Sequence, residues 1–234
     1  MNIIITGAGR GIGFALCQEF LKEPGHTIIA ISRSLEALNA MSGSASYATL
    51  NMSTLIPFRF DLSMGAYSEL KAFVEMHFDK LDVLVNNAGQ LINKPFEQLS
   101  VVDFDAMFDT NVKAVFRTTQ ILLPLMQPDT HIVNISSMGG YQGSAKFPGF
   151  SLYSASKGAV AVLTECLAEE FKEKGIKVNA LALGSVQTEM LAEAFPGYAA
   201  PLLPAQMAVY IKDFALNGHK VFNGKVLPVA LSTP

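Results

Sequence analysis

The sequence predicts an α/β fold, a parallel sheet of about seven strands covered by helices on both faces. Short apolar runs alternate with longer amphipathic stretches along the 234 residues, as in successive strand–helix units. Runs such as IIIT (3–6), TIIAI (27–31) and DVLVN (82–86) are almost wholly apolar, which fits strands buried on both faces. The segments after the runs are rich in Gly, Ser, Asn and Asp, as expected of a polar cleft at the carboxyl ends of parallel strands.

The elements follow in order. A first strand, Asn2–Thr6, is stopped by TGAGRGIG (6–13), which opens a helix near 11–22. A second strand, Thr27–Ile31, ends at SRS and leads to a helix near 34–41, and SGSASYATLNMST (42–54) reads as an irregular connection. The third strand, Pro57–Phe60, ends at DLS before a helix near 64–78; the fourth, Asp82–Asn86, runs into NNAG before a helical pattern over 103–126. His131–Ile135 forms the fifth strand and ends at SSMGG, followed by a helix near 153–174. The sixth, Ile176–Leu181, leads into LGSVQT (183–188) and the Pro/Gly-rich AFPGYAAPLLP (194–204), ahead of a helix near 204–217 and a last strand, Lys225–Val229. No repeat or linker interrupts this order, so one domain over 1–234 is expected.

Half the residues are apolar, 16% are charged and the net charge is -3, enough for a sizeable core and without a general attraction to nucleic acid or anionic membrane. The opening MNIIITG lacks the basic lead and long apolar stretch of a secretory signal, and no run is long enough to span a membrane. Cys17 and Cys166 sit inside helical patterns and read as two buried thiols in a reducing, cytoplasmic compartment. The four histidines are scattered, with no metal-ligand spacing.

TGAGRGIG places Gly7, Gly9, Gly11 and Gly13 where a backbone can approach a phosphate and a helix N-terminus can attract one. Their spacing is G-x-x-x-G-x-G. At the end of the second strand an acid would bind the ribose hydroxyls of NAD, whereas an arginine accommodates a 2′-phosphate. Arg33 stands there, and Arg10 inside the loop can help, so NADP(H) is expected ahead of NAD(H). YSASK (153–157) puts a phenol and an ammonium at i and i+4 on one helix face. A free phenol, with a pKa of about 10, is a poor acid near neutrality, and a neighbouring cation would lower that value.

Taken together, TGAGRGIG, Asp61 in FDLS, NNAG, Asn111 in DTNV, NISS ending at Ser137, YSASK and VNALALGSVQT resemble the short-chain dehydrogenase/reductase family, in family order over residues 6–188. The resemblance implies a single Rossmann-type, doubly wound domain, a nicotinamide cofactor, and Asn111, Ser137, Tyr153 and Lys157 as a catalytic tetrad. Ser137 would steady the substrate oxygen and Tyr153 would exchange a proton with it. Lys157 would lower the phenol's pKa and bind the nicotinamide ribose, and Asn111 would hold a proton-relaying water. It also implies cofactor contacts from the glycine loop with Ile12, from Asp61 and Leu62 around the adenine, from Asn87, Ala88 and Gly89, and from Gly184, Val186 and Thr188 at the nicotinamide end. A homodimer or homotetramer acting on a small carbonyl or alcohol is the implied context.

Three departures stand out. Sixteen positions separate Ser137 from Tyr153, about three more than usual in the family, with the excess in GSAKFPGF (143–150). Leu183-Gly184 replaces the common Pro-Gly, and the chain ends VLPVALSTP where many members carry a Gly-Gly pair. The segment 188–204 reads as a short, mostly apolar lid without a basic cluster, which favours a small apolar ketone or aldehyde. The competing readings are a catalytically silent dinucleotide-binding sensor or scaffold, which a complete tetrad disfavours, and a related lyase or epimerase, which needs a longer substrate-binding half.

Overall fold

A computed structural model describes residues 1–42 and 53–231. Its sheet has seven strands in the order β3-β2-β1-β4-β5-β6-β7, all parallel. They are β1 (Asn2–Thr6), β2 (Thr27–Ser32), β3 (Thr54–Arg59), β4 (Leu81–Asn86), β5 (Met126–Ser137), β6 (Lys177–Leu183) and β7 (Val226–Val229). Strand order reverses between β1 and β4, and the crevice over their carboxyl ends is where such a sheet binds ligands.

The helices divide between the faces. Alternation along β1 turns Ile3 and Ile5 toward one side, with Leu16 and Phe20 of α1 (Gly11–Leu21), Leu38 of α2 (Glu36–Ser42), and Ile211 and Phe214 of a late helix, Pro204–Asn217. Ile4 faces the other side, with Leu70 and Val74 of α3 (Tyr67–Glu75), Leu122, and Ala168 of the helix Ser151–Glu170. Pro57 and Pro228 lie in the two edge strands, where a missing N–H costs no central ladder bond.

The helical pattern expected over 103–126 is broken. It divides into α4 (Val101–Phe108), a π-helical turn at Asp109–Lys113, α5 (Ala114–Leu122) and a short 3-10 turn. β5 starts at Met126, five residues earlier than expected, and pairs first through Leu81↔Met126 before a register shift. α6 (Ser151–Glu170) carries YSASK in its first two turns, and the lid contains a helix that apolar periodicity did not announce, α7 (Glu189–Ala194), before α8 (Pro204–Asn217). Of the connection expected over 42–54, residues 43–52 lie outside the described residues, as do 232–234 of the carboxyl terminus. The two thiols differ: Cys17 is buried in α1, whereas Cys166 is exposed on α6, which corrects the expectation that both are buried. Among the described residues no helix is long and apolar enough to cross a membrane, and no three His, Cys, Asp or Glu side chains gather as metal ligands would.

Candidate active site

The crevice at the strand reversal is a cleft of about 570 Å³. Two ties across the sheet hold its floor. Thr6 Oγ1 accepts from the backbone N–H groups of Asn87 and Ala88, both at 3.0 Å. The Asn87 amide donates to the carbonyls of Thr6 at 3.0 Å and Gly7 at 3.2 Å. NNAG therefore clamps the glycine loop as well as lining the cleft. Gly7 and Gly11 have φ of +67° and +56°, open to glycine at little cost. A Cβ at Gly13 would stand 2.3 Å from the Gly7 carbonyl oxygen, so Gly13 lets α1 pack against the loop and does not itself line the cleft.

No side chain caps the N-terminus of α1, and its first turn holds no acid. Its orphan N–H groups, set behind the glycine loop, suit the phosphates of a dinucleotide. Gly9, Ile12, Asp61, Leu62 and Gly89 line the same cleft. Asp61 accepts from the Ser63 hydroxyl at 2.6 Å and backbone at 2.9 Å, and these bonds, with a smaller pull from Arg33, hold its carboxyl below the usual range. Arg33 is exposed at the cleft edge, and among the described residues it makes no ion pair. Arg10 does: its Nη1 meets Glu193 Oε1 of α7 at 2.9 Å, so the loop arginine expected to assist a phosphate is tied to the lid. The lid's ends are anchored, Thr188 Oγ1 capping α7 through Leu191 N at 3.2 Å and Gln187 N donating to Leu202 O at 2.8 Å. Gly184, Val186 and Thr188 line the cleft below it, and Gly184 leaves room for Ala230, 2.6 Å from where its Cβ would lie.

The four residues of the expected tetrad converge, with different surroundings. Ser137 ends β5; its oxygen accepts from Gly139 N at 3.1 Å, and it lines the cleft together with Tyr153. Burial raises the Tyr153 pKa, and the neighbouring Ser137 side chain opposes that rise. The expected lowering by Lys157 is not what this arrangement produces. The ammonium is turned to the Ile135 carbonyl at 2.9 Å, and the phenol's titration is governed by burial and Ser137 instead. Lys157 is only 4% exposed, and desolvation drives its pKa from 10.5 down to about 8. Beside it lies Gly89, whose Cβ would stand 3.3 Å from Nζ.

Asn111 occupies the π-helical turn and is wholly buried. Its Oδ1 accepts from Gln90 N at 2.7 Å, and its Nδ2 donates to Gln90 O and Ser156 Oγ, both at 2.9 Å. Ser156 Oγ in turn donates to Tyr153 O at 2.7 Å. The amide is thus spent on bracing the helix that carries Tyr153, and both its donor hydrogens are committed. Gln90, Ser156 and Thr6 were absent from the sequence-derived site. Their signal was their position inside NNAGQ, YSASK and ITG, where each looked like filler between glycines or around the tyrosine.

Comparison with known proteins gives the family. The family described as short chain dehydrogenase matches residues 1–199. The chain belongs to the short-chain dehydrogenase family. It is therefore an oxidoreductase of that type, and the family uses a nicotinamide cofactor. An uncharacterized oxidoreductase of Staphylococcus aureus (strain USA300) is 30% identical over 222 residues, covering 94% of this chain and 92% of that relative. Among solved structures, ElxO with NADP bound is 30% identical, with a TM-score of 0.82 over 98% of this chain and 96% of that one. 4-Hydroxyisoleucine dehydrogenase complexed with NADH is 25% identical, with a TM-score of 0.83 over 98% and 96%.

The buried lysine generates a pH-dependent expectation. Below about pH 8 folded and unfolded chains both hold its proton, and the folded one bears the full burial cost. Between about 8 and 10.5 the unfolded chain retains a proton that the folded chain has released, so stability from this group rises with pH. Lys157→Met in the cofactor-free protein is expected to be more stable at pH 7, by about 1–3 kcal/mol after the lost bond to Ile135 is counted. The difference should shrink from pH 8 upward in thermal unfolding followed by circular dichroism. A lower melting temperature for the variant at every pH would contradict it.

Proposed function

We propose that the chain is an NADP(H)-dependent short-chain dehydrogenase/reductase acting on a small, largely apolar carbonyl compound or its secondary alcohol. The observation that carries this reading is Lys157: a buried ammonium with no counter-anion among the described residues, opening through Gly89 onto the cleft that holds the Ser137–Tyr153 pair. A buried cation left at such cost is characteristic of a functional site.

A nicotinamide cofactor, which the glycine loop and Lys157 would hold, would supply hydride in reduction or accept it in oxidation. Tyr153 gives its phenolic proton to the carbonyl oxygen, so carbon receives hydride, oxygen receives a proton and the product is an alcohol. Because burial keeps Tyr153 protonated at neutral pH, the reductive direction starts with its acid in place. Ser137, which lines the cleft beside the phenol, orients the substrate oxygen toward it. Lys157 binds ribose hydroxyls, and a pKa of about 8 suits it to return a proton to the phenolate. Asn111 is a positioning residue in this scheme, acting through Ser156 on the helix of Tyr153. A relay water could not accept from this amide, since both its hydrogens are committed to Gln90 and Ser156.

NADP(H) over NAD(H) rests on Arg33, an exposed cation at the cleft edge with no ion pair among the described residues. ElxO binds NADP, while 4-hydroxyisoleucine dehydrogenase binds NADH, so the choice follows from the cleft of each protein. Arg10 can join only by leaving Glu193, an exposed pair worth about 1 kcal/mol or less. We take residues 1–234 as one domain with 188–204 as its lid, in a cytoplasmic homodimer or homotetramer. Exposed Val101, Val102, Phe104 and Phe116 on α4 and α5, with Val162 on α6, support self-association.

Two experiments test the proposal. Tyr153→Phe should keep fold and NADPH binding while losing at least about 10²-fold in turnover, the scale of a missing general acid; near-native activity would end the assignment, and tight NADPH binding without turnover by the wild type on a broad carbonyl panel would favour a silent binding protein. In kcat/KM the wild type should prefer NADPH over NADH by roughly 10- to 100-fold, the worth of one charge-assisted hydrogen bond. Arg33→Asp should reverse that order, because a carboxylate repels the phosphate and accepts from ribose hydroxyls. Equal use of both cofactors by the wild type would refute the choice.

A further inference from the structure

Beyond the Ser137–Tyr153 pair the cleft wall is built of rings. Phe150 meets the Tyr153 ring edge-on, with centroids 5.6 Å apart and planes at 72°. It also meets Phe195 of the lid at 5.0 Å and Phe147 at 6.2 Å, and Phe195 continues to Tyr198 at 6.3 Å. All of these rings line the same cleft as Tyr153. Phe147 and Tyr198 remain 37% and 49% exposed, so they are not explained as core packing, and clustered exposed apolar rings mark a ligand groove.

Two of the rings come from the extra residues between Ser137 and Tyr153, and two from the lid. The loop after NNAG joins these segments. Lys94 N donates to the Gly149 carbonyl at 3.3 Å, and the Asn93 amide donates to the Ala194 carbonyl at 2.9 Å. Gly149 has a φ of +84°, and a Cβ there would stand 2.1 Å from Asn93 Oδ1, so this close approach requires glycine. The wall is therefore pinned from behind.

Charge is absent from this wall. The charged side chains that line the cleft among the described residues are Arg10, Arg33, Asp61, Lys157 and Glu189. Arg10 is paired with Glu193, and Glu189 leans toward Gly11 at the far end. Arg33 and Asp61 follow β2 and β3, and Lys157 lies under Ile135. Lys146, on the same loop as Phe147, is occupied by Tyr141 O and Ser144 Oγ, both at 2.7 Å.

We propose that this pocket selects carbonyl compounds with an aromatic ring attached to the carbonyl carbon over saturated ones of equal size, with Phe147, Phe150, Phe195 and Tyr198 setting the preference. The inference deepens, and rests on, the oxidoreductase reading of the same cleft. A saturated ring buries comparable area but lacks the quadrupole that makes edge-to-face contact favourable. Each such contact favours an aryl group by roughly 2- to 12-fold. With two or more rings within reach, a preference of about 10-fold or more is expected.

The test compares acetophenone with cyclohexyl methyl ketone, matched in carbon count. With NADPH, kcat/KM should favour acetophenone by about 10-fold or more in the wild type. The ratio should fall toward 1 in Phe195→Leu and in Phe147→Leu, the latter at a half-exposed site that tolerates change. Calorimetric titration of each ketone into the cofactor-free protein should show the same order of affinity. A wild-type ratio of 1 or below, or a ratio unmoved in both variants, would overturn the aromatic pocket. If neither ketone turns over while acetophenone still binds more tightly, the oxidoreductase reading fails and the aromatic pocket stands; equal binding of the two overturns the pocket whatever the turnover.

Discussion

An ammonium that is 4% exposed, bonded among the described residues to the Ile135 carbonyl and to no anion, is costly to keep charged. Desolvation of an unpaired charge costs several kcal/mol even after relaxation. The surroundings of Lys157 are arranged to tolerate it. β5 offers the Ile135 carbonyl, Gly89 keeps side-chain carbon away from Nζ, and the Ser136 hydroxyl donates to the Lys157 carbonyl at 2.8 Å, fixing the helix turn that carries it. The proposed chemistry draws on that discomfort, since ribose hydroxyls and a nearby phenolate would each relieve it.

The same turn is held from the other side by Asn111 and Ser156, which tie it to the π-helical turn. At the opposite end of the cleft, Thr6 and Asn87 join β1 to β4 and set the glycine loop against the uncapped start of α1. One sheet thus positions both the proposed phosphate site and the proposed proton-transfer site. The lid, joined to this frame by Arg10, Asn93 and the Val186↔Leu202 bridge, contributes the variable wall.

Much of this was legible in the sequence, because buried parallel strands must be written as apolar runs and a phosphate turn as glycines. The seven strands and the cleft-lining motifs follow from those two constraints. What escaped has physical reasons. The π-helical turn at Asp109–Lys113 keeps helical periodicity on both sides, so 103–126 read as one helix. α7 is only six residues long, too short for a periodic signal. Cys166 falls on the outward side of α6, which a count of thiols does not reveal. The i and i+4 spacing of Tyr153 and Lys157 was correctly read as one helix face, yet spacing does not say that the ammonium turns to Ile135. The aromatic wall appeared only as excess residues in GSAKFPGF, since its rings meet Phe195 and Tyr198 from a distant segment.

Everything proposed for this cleft turns on Lys157, a buried cation with no ion pair among the described residues and a pKa lowered to about 8. The most direct measurement is its own titration, followed by the ε-carbon NMR signal in the cofactor-free protein and assigned with Lys157→Arg. A midpoint near 8 is expected. A midpoint of about 10.4, the value of a free lysine, would contradict it.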